Sequence, residues 1–385
     1  SFHCEVGPDR AVYIPRGVGN AFQALEDGTV YTYLVDAHWS AKLKKTYTFV
    51  NLADPALCID WPIPLDHATL SMTDKNHPYL KDAIPMAPKR TLVTGCNGQL
   101  GRAVRALVGD RGTGLAFDWT DCDVFDVSDP AEYTKYDWDL YETVINCGAY
   151  TAVDKAETPE GRVEAWKANA TGPALLARTC AEHGITLVHI SSDYVFDGTH
   201  ATHDESESFS PLSVYGQSKA AGALAVMGCP RHYILRTSWV VGDGHNFVKT
   251  MVGLSKRVAD PNDALGSVTV VDDQFGRLSF TKDLARAIFH LLDSGAPYGT
   301  YDCTGSGAVR SWAYVARTIF DLVNGNGDKV VPVTTVDYYS NSKGPTAPRP
   351  KYSVLDLHKL GATGFDMPDW EGELAEYVDA LRGEA

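Results

Sequence analysis

The chain has 385 residues, with 34 lysines and arginines against 49 aspartates and glutamates, so its formal net charge is −15. This length predicts two or three domains, and 44% apolar with 22% charged residues is typical of a globular protein. We expect neither a nucleic-acid nor a membrane partner, because nucleic acids and anionic membranes attract concentrated positive charge and no apolar run approaches the roughly 18–20 residues of a membrane-spanning helix.

Residues 1–84 are predicted to form a β-rich segment. Strand-forming runs at 11–15, 29–35 and 45–52 are separated by Gly and Asp turn signals and show no helical periodicity. The two prolines of IPMAPK then predict a linker at 85–89, since proline ends a preceding helix or strand.

From residue 90 to 385, short apolar strands alternate with helices of ten or more residues. The strands are predicted at 90–95, 114–117, 143–149, 185–192 and 232–240, and the helices at 99–109, 218–228 and 280–295, with one or two further helices at 161–184. This alternation predicts an α/β fold with a Rossmann-type, doubly wound parallel sheet covered on both faces. A Pro-, Ser- and Thr-rich stretch at 329–353 is predicted to be irregular.

The cysteines and histidines show no metal-binding spacing. The eight cysteines lie at least 25 residues apart, which excludes CxxC zinc and redox motifs. We therefore predict reduced thiols in a cytoplasmic protein. His3, His38, His67 and His77 also lack a ligand spacing, so no metal site is expected.

A glycine-rich turn follows the first strand of the α/β part. Gly95, Asn97 and Gly98 precede the helix that begins near Gln99, and such a turn lets backbone N–H groups approach a pyrophosphate at a helix N-terminus. The alternative is an ordinary strand–turn–helix glycine cluster. Asp118 lies 23 residues after Gly95, where a carboxylate can bind the adenosine ribose; a solvated loop aspartate is the alternative.

The most specific local pattern is Tyr215-Gly-Gln-Ser-Lys219. A Tyr and a Lys four residues apart on a helix point the same way, and a nearby ammonium is expected to lower the pKa of the phenol. Ser192, at the end of a predicted strand, supplies a hydroxyl for a substrate carbonyl oxygen. An accidental YxxxK pair is the alternative.

Five blocks together resemble the dTDP-4-dehydrorhamnose reductase family of extended short-chain dehydrogenases. They are TGCNGQLGR, VINCGAYTAVDKAE, HISSDYVFDG, SPLSVYGQSKAAG and LRTSWVVG, and the likeness runs from about residue 90 to 382. The resemblance implies reduction of a dTDP-linked 4-keto sugar, dTDP-4-dehydro-β-L-rhamnose, with NADH or NADPH as cofactor. It also implies a smaller C-terminal part that binds the substrate, and a homo-oligomer is one alternative for the assembly.

The same resemblance assigns roles to individual residues. It places Tyr215 as proton donor and Lys219 on the nicotinamide ribose, with Ser192 at the sugar. The other implied contacts are Gly98, Gln99 and Leu100 at the pyrophosphate, Asp118, Asp126 and Val127 around the adenosine, Ala149, Tyr150 and Thr151 in the cofactor groove, and Asp193 and Trp239 at the substrate. Charge alone makes Arg277 and the loop residues Lys343, Arg349 and Lys351 candidates for the substrate diphosphate.

The first 80 residues resemble the C-terminal part of the dTDP-4-dehydrorhamnose 3,5-epimerase family, a cupin-like barrel. The matching blocks lie at 14–25, 32–40, 51–63 and 70–80. Of that family's catalytic residues only an Asp finds a match, Asp54; the base His would precede residue 1 and the acidic Tyr falls near His38 or Trp39. We therefore expect no epimerase activity from this chain. Whether a longer parent protein carries both epimerase and reductase activity is left open.

Two other functions fit parts of the pattern. The regulatory subunit of methionine adenosyltransferase shares this fold and serves as a binding partner, which NAD(P)H consumption would distinguish from an enzyme. A nucleotide-sugar 4-epimerase of the same fold would retain NAD and turn over without net oxidation.

Overall fold

In this computed structural model the described residues are 4–7, 9–14, 17–35, 47–86, 88–110, 116–340 and 344–383. The chain divides into two compact units, Ser1–Pro88 and Lys89–Ala385. Over these described ranges, no helix has the length and apolar character needed to cross a membrane.

The described part of the first unit consists of extended chain and short helical turns, at Pro55–Leu57, Met72–Lys75 and Leu80–Asp82. The runs predicted as strands join no β-ladder in their described residues, so those individual strands are not formed there. Many of their side chains are exposed, Val30 to 83%, so water satisfies backbone groups that a ladder would otherwise pair.

The second unit is built on six parallel strands in the order β10-β5-β4-β3-β1-β2, which confirms the predicted doubly wound sheet. The strands are β1 (Arg90–Thr94), β2 (Ala116–Trp119), β3 (Tyr141–Asn146), β4 (Thr186–Ser192), β5 (His232–Thr237) and β10 (Gly299–Asp302). Residues 114 and 115 of the predicted second strand lie outside the described residues.

The described helices of eight residues or more are α1 (Gln99–Asp110), α2 (Pro159–Trp166), α3 (Gly172–His183), α4 (Val214–Met227), α5 (Phe247–Ala259), α6 (Thr281–Ser294), α7 (Trp312–Asn324) and α8 (Trp370–Gly383). Shorter α-helices span Thr335–Tyr339 and His358–Gly361, and 3-10 turns span Glu132–Lys135, Trp138–Leu140, Lys155–Glu157, Asp193–Val195 and Gly327–Lys329. A π-helical turn, Lys167–Thr171, joins α2 to α3 within the stretch 161–184, predicted as one or two helices.

Alternation along the strands explains why both faces of the sheet are covered. Val93, Ile145, Val188 and Leu235 pack with α1 and α6, whereas their neighbours Leu92, Val144, Leu187 and Ile234 pack with α3 and α4. Because successive strand side chains point to opposite faces, near-continuous apolar runs bury both faces.

A smaller part follows the fifth strand. Its strands pair in twos: β6 (Val240–Val241) with β9 (Ser279–Phe280), β7 (Val268–Val271) with β12 (Val330–Val333), and β8 (Phe275–Gly276) with β11 (Arg310–Ser311). Helices α5, α7 and α8 share one apolar core around the fully buried Trp370. In the described part of the stretch 329–353, predicted as loops and short strands, the structure has the strand β12 and a short helix at Thr335–Tyr339.

Candidate active site

The N-terminus of α4 is fixed against the end of β4. Ser213 caps the helix through the Gly216 amide, 3.1 Å away, so the helix begins earlier than the predicted residue 218 and includes Tyr215. Glu157 Oε1 accepts from the Val214 amide at 2.8 Å. A Cβ at Gly216 would collide with the carbonyl oxygen of Tyr194, so glycine permits this close approach.

Ser192 and Tyr215 meet at this point, as the sequence predicted. The Ser192 hydroxyl lies close enough to the Tyr215 phenol to affect its pKa, and Ser192 Oγ donates to Asp193 Oδ1 at 2.9 Å. Burial raises the pKa of Tyr215 to about 12, the Ser192 hydrogen bond lowers it, and the Asp193 carboxylate raises it. The expected lowering of this pKa by Lys219 is therefore wrong, because desolvation is the largest cause and the Lys219 ammonium, bound to the Ile190 carbonyl, is not among the groups that shift it.

Lys219 lies one turn after Tyr215 and is only 2% exposed. Its Nζ donates to the Ile190 carbonyl oxygen at 2.5 Å, which directs the ammonium toward the end of β4. Burial lowers the pKa of Lys219 to about 8. This ammonium is thus held in place but is close to losing its proton near neutral pH.

Sequence reasoning missed a polar chain that runs beneath these residues. Thr94 Oγ1 donates to Asn146 Oδ1 at 2.8 Å, and Asn146 Nδ2 lies 3.1 Å from His189 Nδ1. Burial and the nearby Lys219 charge hold the pKa of His189 well below its ordinary value, so the imidazole is neutral. The available signal was a polar residue inside each of two otherwise apolar strands, VIN and LVHI.

Asn169 is a second residue that sequence reasoning missed. It lies in the π-helical turn and is 1% exposed. Its Oδ1 accepts from the Tyr150 amide at 2.9 Å, and its Nδ2 donates to the Tyr150 carbonyl at 3.0 Å and to Ser218 Oγ at 3.1 Å. Asn169 thereby ties the loop after β3 to helix α4, and π-bulges of this kind are frequent at functional sites.

Replacing Asn169 by Ala is expected to lower kcat for keto-sugar reduction by about 10²-fold, since a misplacement of about 1 Å at reacting groups costs that much. Asn169→Asp keeps the acceptor for the Tyr150 amide and should fall between wild type and Ala. Initial rates measured well below each unfolding temperature separate this positioning role from simple instability. An Ala variant with wild-type kcat under those conditions would contradict it.

The glycine-rich turn forms a tight cradle before α1. Gly95 has φ +65°, and a Cβ there would collide with the Gly148 amide. A Cβ at Gly101 would collide with the Gly95 carbonyl. Gln99 Oε1, at the first turn of α1, is buried without a hydrogen-bond partner. A helix N-terminus with this bare turn suits a pyrophosphate, so the residues fit a dinucleotide.

Asp118 does not lie where the sequence predicted. Its carboxylate forms an ion pair with Arg90 and accepts from the Tyr141 hydroxyl at 2.7 Å. Arg90 and Tyr141 are the first residues of β1 and β3, whereas the glycine-rich turn follows the carboxyl end of β1. Cross-strand packing thus uses this carboxylate, and the geometry does not support the expected ribose contact.

A different carboxylate lies beside the cradle. Asp121 follows the carboxyl end of β2, and its Oδ2 accepts from the Asn97 amide at 3.1 Å. Asp126 Oδ1 accepts from the Ser128 amide and hydroxyl, and the Val127 side chain contacts the start of α3. The acidic run TDCDVFD therefore reaches this edge through Asp121, a residue that the sequence prediction did not single out.

Three buried polar atoms near the carboxyl ends of β3, β4 and β5 have no hydrogen-bond partner in the described part of the protein. They are the Tyr150 hydroxyl, Ser191 Oγ and Thr237 Oγ1. Tyr150 also shares an apolar cluster with Tyr215, while Ala149 and Thr151 flank it in the loop that follows β3. Buried polar groups normally find partners, so the unpartnered Tyr150 hydroxyl beside Tyr215 favours a polar ligand at this point.

The substrate candidates lie on the opposite side of Tyr215. The Tyr194 ring packs edge-on against Tyr215, with centroids 5.4 Å apart. Arg349 forms a 2.8 Å ion pair with Asp154 and lies over the Tyr339 ring. Lys343 lies outside the described residues, and Lys351 lies over the Tyr352 ring, 5.1 Å from its centroid.

Three further candidates have protein contacts of their own. Trp239 has φ +47° and stacks on Trp312 at 3.7 Å. Arg277 donates to the carbonyl oxygens of Gly307 and Leu355, at 3.0 and 3.4 Å. Burial raises the pKa of Asp193 to about 6, against hydrogen bonds from Ser353 and Ser192.

The parallel sheet, the glycine-rich turn and the Ser192–Tyr215–Lys219 group define a short-chain dehydrogenase/reductase. Residues 89–382 match the family model described as RmlD substrate binding domain, and residues 3–82 match the model described as dTDP-4-dehydrorhamnose 3,5-epimerase. The chain belongs to the RmlD family, and both predicted resemblances are confirmed.

Individual relatives agree with this assignment. A dTDP-4-dehydrorhamnose reductase from Mycolicibacterium smegmatis is 35% identical over 305 residues, which cover 77% of this chain and 86% of the relative. The crystal structure of a Clostridium acetobutylicum dTDP-4-dehydrorhamnose reductase is 39% identical, with a TM-score of 0.68 over 76% of this chain and 99% of that chain. The Bacillus anthracis reductase, solved in complex with NADP, is 33% identical, with a TM-score of 0.67 over the same shares.

Proposed function

We propose that the chain reduces the 4-keto group of dTDP-4-dehydro-β-L-rhamnose to the alcohol of dTDP-L-rhamnose with NADH or NADPH. The observation that carries this is the placement of the Ser192 hydroxyl beside the Tyr215 phenol, with Lys219 one turn away on the same helix. Relatives that share most of this chain are dTDP-4-dehydrorhamnose reductases, and one of them was solved with NADP.

Each residue of this group has a separate task. The reduced nicotinamide supplies a hydride to the C4 carbon when it is bound. The Ser192 hydroxyl holds the carbonyl oxygen, and Tyr215 gives its phenolic proton to that oxygen as the C–O double bond becomes single. Its raised pKa keeps Tyr215 protonated until the reaction, and the Lys219 ammonium stabilises the phenolate that remains.

The dTDP part is proposed to lie beside Arg349 and Trp239. Arg349 lies over the Tyr339 ring and is fixed by an ion pair with Asp154, so it is held ready for a diphosphate. Arg277, whose donors engage backbone carbonyls, and Asp193 are proposed as supporting contacts at the sugar end.

The preference for NADH or NADPH is expected to depend on Asp121 and not on Asp118. Asp118→Asn is expected to lower the unfolding temperature, because Arg90 loses its partner, and to leave the ratio of the NADH and NADPH KM values unchanged. Asp121→Asn removes a negative charge beside the cradle and is expected to lower the KM for NADPH relative to NADH. Initial rates with both cofactors test this; a ratio that responds to position 118 alone would restore the original prediction.

The deciding assay supplies this chain with dTDP-4-dehydro-β-L-rhamnose or its un-epimerised precursor, with each nicotinamide cofactor. We expect oxidation of the cofactor with the first substrate only. In the first unit the Asp54 carboxylate already accepts from the Ala56 and Leu80 amides, at 2.9 and 2.5 Å, which favours a structural role for it. Formation of dTDP-L-rhamnose from the precursor would show a working epimerase as well, whereas an un-epimerised alcohol would show direct reduction of the precursor.

The two rival functions give different results in the same experiments. A 4-epimerase would purify with tightly bound NAD and show no net oxidation, and a regulatory subunit would bind a partner enzyme without consuming NAD(P)H. The cytoplasmic location and the homo-oligomer remain predictions.

A further inference from the structure

An irregular loop behind the active site brings three potential ligand atoms together. His200, His203 and Glu207 each present one donor, all within 4.8 Å of one another, the one such group of three or more His, Cys, Asp or Glu residues in the described ranges. His200 Nδ1 lies 3.4 Å from Glu207 Oε2, and His203 Nδ1 lies 2.8 Å from the same oxygen. The two imidazoles therefore converge on one carboxylate oxygen.

The protein holds His203 rigidly. Its side chain is fully buried and stacks on Phe196 at 4.6 Å, with the rings 4° from parallel. Its backbone bridges to the neighbouring segment through Val354 and Asp356. Its Nε2 lies 3.2 Å from the Tyr352 carbonyl oxygen, a contact in which only the ring nitrogen can donate.

This carbonyl contact creates a conflict at the other ring nitrogen. With the proton on Nε2, a neutral His203 presents a lone pair at Nδ1, and the ionised Glu207 Oε2 facing it is also an acceptor. A positive centre is needed between them, either a second proton on the ring or a metal ion. Metal-ligating histidines commonly donate the far N–H to a backbone carbonyl, as His203 does here.

We propose that His200, His203 and Glu207 form a structural site for a divalent metal of the zinc class. Two ligand atoms of a tetrahedral zinc ion lie about 3.3 Å apart when the bonds are about 2.0–2.1 Å long. The 3.4 Å gap between His200 and Glu207 meets this spacing, and the 2.8 Å gap needs only a small opening. His200 is largely exposed, which leaves a fourth position for water.

The loop that carries the site is hydrogen-bonded to the segment 352–356. In the same loop the Gly198 carbonyl oxygen accepts a hydrogen bond from the Tyr352 amide. Arg349 lies three residues before Tyr352. A bound ion would therefore fix the backbone next to the candidate diphosphate contact. Of the histidines, the sequence prediction covered only those between residues 3 and 77, so it did not find this group at 200–207.

Cobalt(II) titration of the full chain after removal of metals by chelation tests the site. We expect one ion per chain, visible-range absorption typical of tetrahedral Co²⁺, displacement by Zn²⁺, and a higher unfolding temperature with Zn²⁺. His200→Ala and Glu207→Gln are both expected to weaken Co²⁺ binding by at least about tenfold, the effect that even a supporting residue of a metal site can have. Neither residue belongs to the catalytic group.

His183→Ala serves as the matched control. His183 also faces a carboxylate, Asp139, at 2.9 Å, but it is not part of a three-donor group in the described residues. Binding of Co²⁺ that the control leaves intact and both site variants weaken would support the proposal. Wild-type chain that takes up no Co²⁺ or Zn²⁺, or variants that bind as wild type does, would overturn it and assign His203 and Glu207 a shared proton only.

Discussion

Replacing Tyr215 by Phe is expected to lower kcat for keto-sugar reduction by roughly 10²–10⁴-fold, the usual contribution of a positioned general acid. The ring and its packing against Tyr194 are retained, and only the hydroxyl that meets Ser192 is lost. Since the phenol is not needed to hold the dinucleotide in the glycine-rich cradle, the dissociation constant for NADPH should change little. Steady-state rates and cofactor fluorescence measure the two quantities.

Tyr194→Phe is the matched control for this substitution. Tyr194 is a neighbouring buried tyrosine, and burial raises the pKa of its phenol above the ordinary value as well. The Tyr194→Phe substitution removes one hydroxyl from the same cluster without removing the proposed acid, so its kcat should stay far above that of Tyr215→Phe. Equal losses in the two variants, or turnover of Tyr215→Phe within a few-fold of wild type, would refute the proposed role.

The second large effect concerns Lys219 and pH. Burial lowers the pKa of Lys219 to about 8, so its ammonium is present below that pH and is lost as pH rises through it. The pKa of Tyr215 is raised to about 12, so the phenol stays protonated throughout this range. We therefore expect kcat/KM to be flat below pH 8 and to fall above it, with Lys219 as the group that titrates.

Lys219→Met removes the charge but keeps an unbranched side chain in the same buried space. Its kcat/KM should be at least about 10²-fold lower, within the range for loss of a group that assists proton transfer, and should show no fall near pH 8. Lys155→Met, at an exposed lysine, should retain the wild-type profile. A fall near pH 8 that persists in Lys219→Met would assign it to another group.

Much of the fold could be predicted because its signals are local. Apolar runs of four to nine residues that alternate with longer helical patterns predicted the parallel sheet, and the glycines after β1 marked the turn before α1. The boundaries of the helices were less well predicted. Helix α4 begins at Val214 because Ser213 caps it, and residues 161–184 contain a π-helical turn that the local sequence did not predict. The extended runs of the first unit were predicted as strands but form no β-ladder in their described residues, because strand propensity needs a neighbouring strand to pair with.

The sequence by itself determined that Tyr215 and Lys219 share one side of a helix and that a serine ends the strand before them, because spacing along a regular element fixes direction. Only the tertiary structure decided which groups these side chains meet and how far they are from water. It assigned the Asp118 carboxylate to Arg90 and Tyr141, brought Asn169 to the Tyr150 backbone, and raised rather than lowered the pKa of Tyr215. Desolvation and the choice of partner depend on residues distant in the chain, so spacing within one segment cannot predict them.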